Sequence, residues 1–365
     1  MRTARKKKKS QMPVALALWI IVGICLIFGG VSAWLMRPEP GGEILTAALP
    51  QPDRLDLSAW VVDWQWQAGL RDMRGLTDKL TEVQAFAAYF DGEDRLYFTP
   101  EARAALPEIQ AASRESSLVH VALTIVNDRI GPDGIAAEQK DPTLISRLTA
   151  TAESRKHHIE DILTALAEYD FHGVEIDYER IDDDDWDNMV LFYRELYDRL
   201  SAEGKTLRII LEPGTSLSRL ALPEGPTYVL MAYNLFGNRT DPGPKANLGY
   251  IATLAKSLKK LPGEHVMALS VGGFDWDEAG QAVAVTEEKA AELAKSSEQP
   301  VERDPASGSL FFTYRDASNR AHTVWYADAA TLQSWIGAVQ AAGINKVALW
   351  RLGGLSVETL AQLND

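Results

Sequence analysis

Among 365 residues there is a single cysteine, Cys25, so the chain can form no intramolecular disulfide and no cysteine-based metal site. No glycine-rich phosphate loop follows the first strand-like run, which argues against a dinucleotide-binding fold. Basic residues are scarce beyond the N-terminus. Residues 41–365 hold 30 of the 37 Lys and Arg but 50 of the 51 Asp and Glu, a net charge of −20. A domain this acidic repels nucleic acid and other polyanions at long range and suits a neutral or cationic ligand.

Charge of either sign is absent from residues 13–36, PVALALWIIVGICLIFGGVSAWLM, which follow the basic tail of residues 1–12. This run is long enough to span a bilayer and longer than the apolar core of a cleavable signal. The expectation is a single-pass membrane anchor in contact with lipid. Lys6 to Lys9 would stay on the cytoplasmic side and everything beyond Arg37 would lie outside, periplasmic or extracellular. Val31-Ser32-Ala33 keeps a cleaved signal peptide open as the alternative. Residues 37–54 read as a Pro/Gly linker, and residues 55–365 as the folded domain.

What the domain does have is alternation. Eight short apolar runs, at 57–64, 83–90, 118–126, 172–178, 207–212, 227–233, 265–271 and 346–352, are separated by segments of helical period. Ile159, Ile162, Leu163, Leu166 and Tyr169 share one helical face, and so do Trp186, Met189, Val190, Tyr193, Leu196, Tyr197 and Leu200, with Gly204 ending that helix. Strand and helix alternating eight times predict an α/β fold, a closed (β/α)8 TIM barrel. One departure, SLFFTYRDASNRAHTVWYAD (309–328), predicts a β-hairpin inserted between strands 7 and 8 at the C-terminal rim.

The fourth run, FHGVEIDYERI (171–181), carries Glu175, Asp177 and Glu179 at every second position. On a strand these carboxyls point to one face while Val174, Ile176 and Tyr178 point to the other. With helices packed outside, the acids face into the barrel and Glu179 falls at the C-terminal end of its strand. Asp182 to Asp185, just beyond, read as a solvated loop, and no metal site or cofactor is expected.

HGVEIDYE resembles the DxxDxDxE signature of family-18 glycoside hydrolases, on the fourth strand of a (β/α)8 barrel. MAYN (231–234) resembles the family's sixth-strand MxYD, and VALWRLGG (347–354) its eighth-strand motif. WVVDWQW, VQAFAAYF, TIVND and HTVWYADA are most similar to the bacterial branch that includes spore-cortex and peptidoglycan-directed N-acetylglucosaminidases, and to modules joined to polysaccharide deacetylases. The resemblance covers roughly residues 57–355. It implies that Glu179 is the general acid, that Asp177 orients and charges the substrate's acetamido group, that Tyr233 hydrogen-bonds the same group, and that Trp350 floors the cleavage subsite. Glu175, Met231, Asn234 and Trp64 would contact substrate. In this family the substrate's own N-acetyl oxygen attacks the anomeric carbon, so one carboxyl must protonate the leaving oxygen and another must stabilise the oxazolinium cation. Residues i and i+2 of a strand, about 6.6 Å apart, supply both on one face.

Three positions depart from the family pattern. His172 and Glu175 stand where the signature has Asp, and Asn234 replaces the Asp after the Tyr. Glu175 keeps a carboxyl that could share a proton with Asp177, Asn234 can bond but carries no charge, and His172 reads as structural. Ser270-Val271-Gly272-Gly273 reads as a strand-to-loop turn. The expected activity is hydrolysis of β-1,4-linked N-acetylglucosamine in cell-wall or extracellular polysaccharide. A lectin-like or scaffold protein that keeps the barrel without turnover is the alternative.

Overall fold

The computed structural model describes residues 55–364 except 77–78, 116–118, 132–135 and 239. The expected basic tail, membrane anchor and linker therefore lie outside the described residues. Within them, no helix is long and apolar enough to cross a membrane.

Eight parallel strands form a closed ring: β1 (Asp56–Val62), β2 (Leu80–Phe90), β3 (His120–Ile130), β4 (Gly173–Asp177), β5 (Thr206–Leu211), β6 (Thr227–Met231), β7 (Glu264–Ser270) and β8 (Lys346–Trp350). Each pairs with its sequence neighbours, and β8 pairs with β1 to close the barrel. All eight coincide with the apolar runs of the sequence. Val174, Ile176 and Tyr178 are buried in the large core between barrel and helices, as their alternation predicts. Their neighbours Glu175 and Asp177 point inward, each buried.

The helices flanking β4 bury the predicted faces. On α1 (Ala152–Glu168), Ile159, Ile162 and Leu166 are buried, and on α2 (Trp186–Ala202), Met189, Val190, Tyr193, Leu196 and Leu200 are. Each such aliphatic side chain contributes about 1.5–3 kcal/mol by leaving water. Thr151 and Ser154 form a reciprocal capping box that starts α1, and Gly204, at φ +70°, ends α2.

Two strands run past the barrel. β2 and β3 extend to 11 residues each and pair beyond the rim with the short antiparallel strands Leu96–Phe98 and Ala136–Glu138. The second hairpin matters for function, because it returns the chain to the mouth of the barrel at Lys140.

The insertion between β7 and β8 is larger than the hairpin predicted from sequence. Leu310–Arg315 and Ala321–Ala327 do pair as a hairpin, but within a five-stranded antiparallel sheet that also holds Gly272–Asp277, Ala282–Val285 and Glu302–Arg303. With α3 (Glu287–Ala294) this sheet has its own small core of Ala290, Phe312, Tyr314, Val324 and Tyr326. Gly272 and Gly273, read as a turn, instead open its first strand. A side chain at Gly273 would meet the Trp325 carbonyl oxygen at 1.8 Å, so the antiparallel strand Ala321–Ala327 can pack there only against glycine.

Candidate active site

Asp177 is the last residue of β4, and Glu179 follows two residues later at the C-terminal mouth. The backbone of Glu179 is clamped by Asn127 near the end of β3: its N–H donates to Asn127 Oδ1 at 3.0 Å, and its carbonyl accepts from Nδ2 at 3.0 Å. The strand-end carboxyl is thus held by a neighbouring strand. Tyr233 and Asn234 lie just past the end of β6, with Asn234 exposed and in the left-handed region at φ +58°. These residues, with Met231, Trp350 and Trp64, line one cavity of about 630 Å³. Seven of the eight site residues predicted from sequence are brought together there.

Glu175 is the exception. It lies one layer deeper, fully buried, in register with Thr124 on β3 and Arg208 on β5. Its Oε1 accepts from Trp60 Nε1 at 2.6 Å and Thr124 Oγ1 at 2.8 Å, while Oε2 accepts from Arg208 Nε at 2.9 Å. Arg208 in turn bonds Glu82 at 2.8 Å and Ser58 at 3.1 Å. Both oxygens being taken, Glu175 has no hydrogen bond to Asp177 and does not border the cavity. It belongs to an ion-pair network that fills the barrel interior.

Asp177 is the opposite case. Its Oδ1 is buried with no hydrogen-bond partner among the described residues. Burial pushes its pKa well above the ordinary carboxylate range, and the charges of Glu179 and Glu175 push it further, against a smaller opposing pull from Lys140. The Glu179 carboxyl is also raised by burial, but the Lys140 ammonium contacts it and pulls it down, while the Glu212 carboxyl beside it pulls it up. The two acids together hold a proton to higher pH than free carboxylates. Tyr233 stays a neutral phenol: burial raises its pKa, and so do Asp177 and Glu179.

Aromatic rings shape the rest of the cavity. Trp350 packs edge-on against Trp60 at 5.6 Å and Phe86 at 5.1 Å between centroids, which holds its indole in the cavity lining. Trp64, 53% exposed, stands edge-on to Phe86 at 5.5 Å as one wall. An exposed indole held in this way offers a flat apolar face to a sugar ring.

Sequence reasoning missed Asp128, Lys140 and Glu212, all of which border the cavity. Glu212 closes the apolar run of β5, and its Oε2 accepts the Arg180 N–H at 2.7 Å, so a carboxyl ending that run was a signal available in the sequence. Asp128 accepts the Lys140 N–H at 2.8 Å, and this bond fixes the left-handed turn at Lys140, φ +58°. Nothing in the sequence marks Lys140, because its position depends on the hairpin beyond β3. His172 lies at the opposite end of the barrel, stacked on His120 at 4.3 Å. Asp183–Asp185 form one short turn in which Asp183 and Asp184 are exposed, as in a solvated loop, while Asp185 is half-buried and accepts from the Ser146 hydroxyl.

Residues 134–354 match the model of glycosyl hydrolases family 18. A cortical fragment-lytic enzyme of Bacillus subtilis is 25% identical over 232 residues, covering 57% of this chain and 53% of that protein. The chain thus spans about half the length of the curated relatives it matches. Among solved structures, the spore cortex-lytic enzyme SleL of Bacillus cereus superposes with a TM-score of 0.73 at 20% identity, over 85% of this chain and 74% of SleL. A chitinase from Chromobacterium violaceum gives 0.71 at 16% identity, over 85% and 98%. At these identities the two structures speak for the fold alone, whereas the family model covers more than half of the chain, from just after β3 through the insertion and β8, and on that match the chain belongs to glycosyl hydrolases family 18.

Proposed function

We propose that this protein is a membrane-anchored glycosidase that hydrolyses β-1,4-linked N-acetylglucosamine in cell-wall or extracellular polysaccharide, with retention of configuration and with the substrate's acetamido group as nucleophile. The observation that carries this reading is the Oδ1 of Asp177, buried without a partner among the described residues, in the cavity that Glu179, Tyr233 and Trp350 also line. A buried carboxylate with no partner is costly, and an oxazolinium N–H is the donor it lacks.

In this reading a sugar stacks on Trp350 and its acetamido group turns towards Asp177 and Tyr233. The acetamido oxygen attacks the anomeric carbon, Glu179 gives its proton to the departing oxygen, and Asp177 balances the positive charge that develops. Water then opens the oxazolinium ion from the face the leaving group vacated, with Glu179 now accepting the proton. The two inversions give net retention. Lys140 must release Glu179 before the acid can act. That pairing is also what a binding protein without turnover would tolerate, which keeps the lectin-like reading as the competing outcome.

The test is product analysis by mass spectrometry after incubation with peptidoglycan, chitin-like polymer and secreted poly-N-acetylglucosamine. Cleavage of at least one supports the glycosidase, while binding without cleavage of any supports the lectin-like protein. The anchor is tested separately. Full-length protein should fractionate with membranes, with residues 41 onward open to external protease, and a soluble form beginning near Trp34 would show a cleaved signal instead.

A further inference from the structure

Beside the catalytic cavity lies a second one of about 300 Å³, and Trp350 borders both. Three cations line it; Lys289 is exposed and paired with Glu292 at 2.9 Å, which leaves Lys245 and Arg351. Lys245 follows β6 and is 8% exposed; its Nζ donates to Ser270 Oγ at 3.0 Å and sits 4.3 Å from the centroid of the Phe274 ring. Arg351 follows β8; its guanidinium lies 5.5 Å from the centroid of Trp64, and its Nη1 is buried with no hydrogen-bond partner among the described residues. Neither forms an ion pair with a carboxylate among the described residues.

The one acid lining this cavity, Glu287, is already engaged. Its Oε1 accepts from Ser356 and Thr359 hydroxyls, each at 2.8 Å, and its Oε2 accepts the Ser356 N–H at 3.0 Å. Burial, and after it the like charge of Arg351, pull the Lys245 ammonium down to about 7. Here is a domain with 20 more acids than bases that leaves two neighbouring cations, one of them deeply buried, without a counter-anion. Buried charge of this kind is costly unless a ligand neutralises it. An arginine fork with a lysine point charge is the usual pair for a carboxylate.

We propose that Lys245 and Arg351 form a subsite for an anionic substituent, a carboxylate carried by the glycan close to the sugar that stacks on Trp350. The proposal rests on the glycosidase reading and narrows its substrate: an N-acetylated glycan bearing carboxylates is selected over a neutral one. The domain's net negative charge would then disfavour such a polymer at long range, and the buried pair would select it at contact, where screening is weak.

The test uses full-length protein in detergent and matched oligosaccharides of one length: neutral N-acetylglucosamine oligomer, an oligomer whose alternate sugars carry a free 3-O-lactyl carboxylate, the same with that carboxylate reduced to the alcohol, and the same with it capped by a short peptide. The free carboxylate should raise kcat/KM at least about tenfold over the alcohol. Lys245→Met and Arg351→Met should each bring that ratio towards one, and Arg351→Lys, which keeps charge but loses the fork, should leave an intermediate ratio. A preference for the peptide-capped form, lost in the same variants, would place the anion on the peptide and still support the subsite. If no oligomer is cleaved, the glycosidase reading fails, and calorimetric Kd ratios for the same four compounds decide the subsite. Equal handling of carboxylate and alcohol overturns it, as does a preference that survives both Met variants or disappears only with Lys140→Met.

Discussion

The ammonium of Lys140 rests on the carboxyl of Glu179, joining a hairpin beyond β3 to the end of β4 across the mouth of the barrel. Its charge favours the anionic form of Glu179 and so lowers that group's pKa. In Lys140→Met the acid keeps its proton to higher pH, and the descending basic limb of kcat/KM against pH should move upward. Glu212→Gln removes a carboxyl that raises the same pKa, so that limb should move downward. A basic limb that stays in place in both variants would mean that Glu179 is not the group titrating there.

Asn234 stands where the family pattern has an Asp beside the substrate-binding Tyr. Its side chain is exposed, while Glu212 is the carboxyl beside Glu179. Asn234→Asp adds a charge that water and salt screen, so it should shift the pH–rate profile less than Glu212→Gln does. The reverse order, measured in one buffer series, would contradict the placement.

Asp177 carries a stability consequence of its own. Its pKa is raised in the folded protein above the unfolded value, so folding favours its protonated form and the ionised form destabilises the fold as pH rises. Asp177→Asn should therefore stabilise the domain at pH 7, by about 1 kcal/mol or roughly 2–4 °C in Tm, while turnover is lost. The gain should shrink as pH falls towards the range where the unfolded carboxyl also protonates. Thermal melts at pH 7 and pH 4 check this, and a destabilised Asn variant at pH 7 would contradict it.

Glu175 predicts the contrary pattern. Removing it leaves Arg208 buried with only part of its counter-charge, so Glu175→Ala should cost about 3–5 kcal/mol in a denaturant melt. An unchanged melt with a raised KM would instead return Glu175 to the substrate-contacting role first expected of it.

These contrasts mark what the sequence could and could not convey. The barrel was legible because its eight apolar runs and the faces of α1 and α2 are local patterns, set by side-chain period alone. The inward direction of Asp177 and Glu175 was legible for the same reason. Their divergence was not, because it depends on what other strands place opposite them: Thr124 and Arg208 meet Glu175, and no described residue bonds the Oδ1 of Asp177. Lys140, Lys245 and Arg351 reach their sites through long-range folding of hairpins and strand ends, which leaves no local period. The insertion was read too small because Gly272–Asp277 is broken by glycine and acids and Ala282–Val285 is only four residues long, so their strand character comes from pairing with Ala321–Ala327 and with each other.

The central claim is that the substrate's acetamido group is the nucleophile and Glu179 the proton donor, and the direct measurement is the anomeric configuration of the first product, followed by NMR during hydrolysis of an N-acetylated oligosaccharide and its de-N-acetylated counterpart. The account predicts a product of retained configuration from the N-acetylated compound, no cleavage of the de-N-acetylated one, and a fall of about 10²–10⁴-fold in turnover for Glu179→Gln with polymer binding preserved. A product of inverted configuration, or equal cleavage of the two compounds, would contradict it.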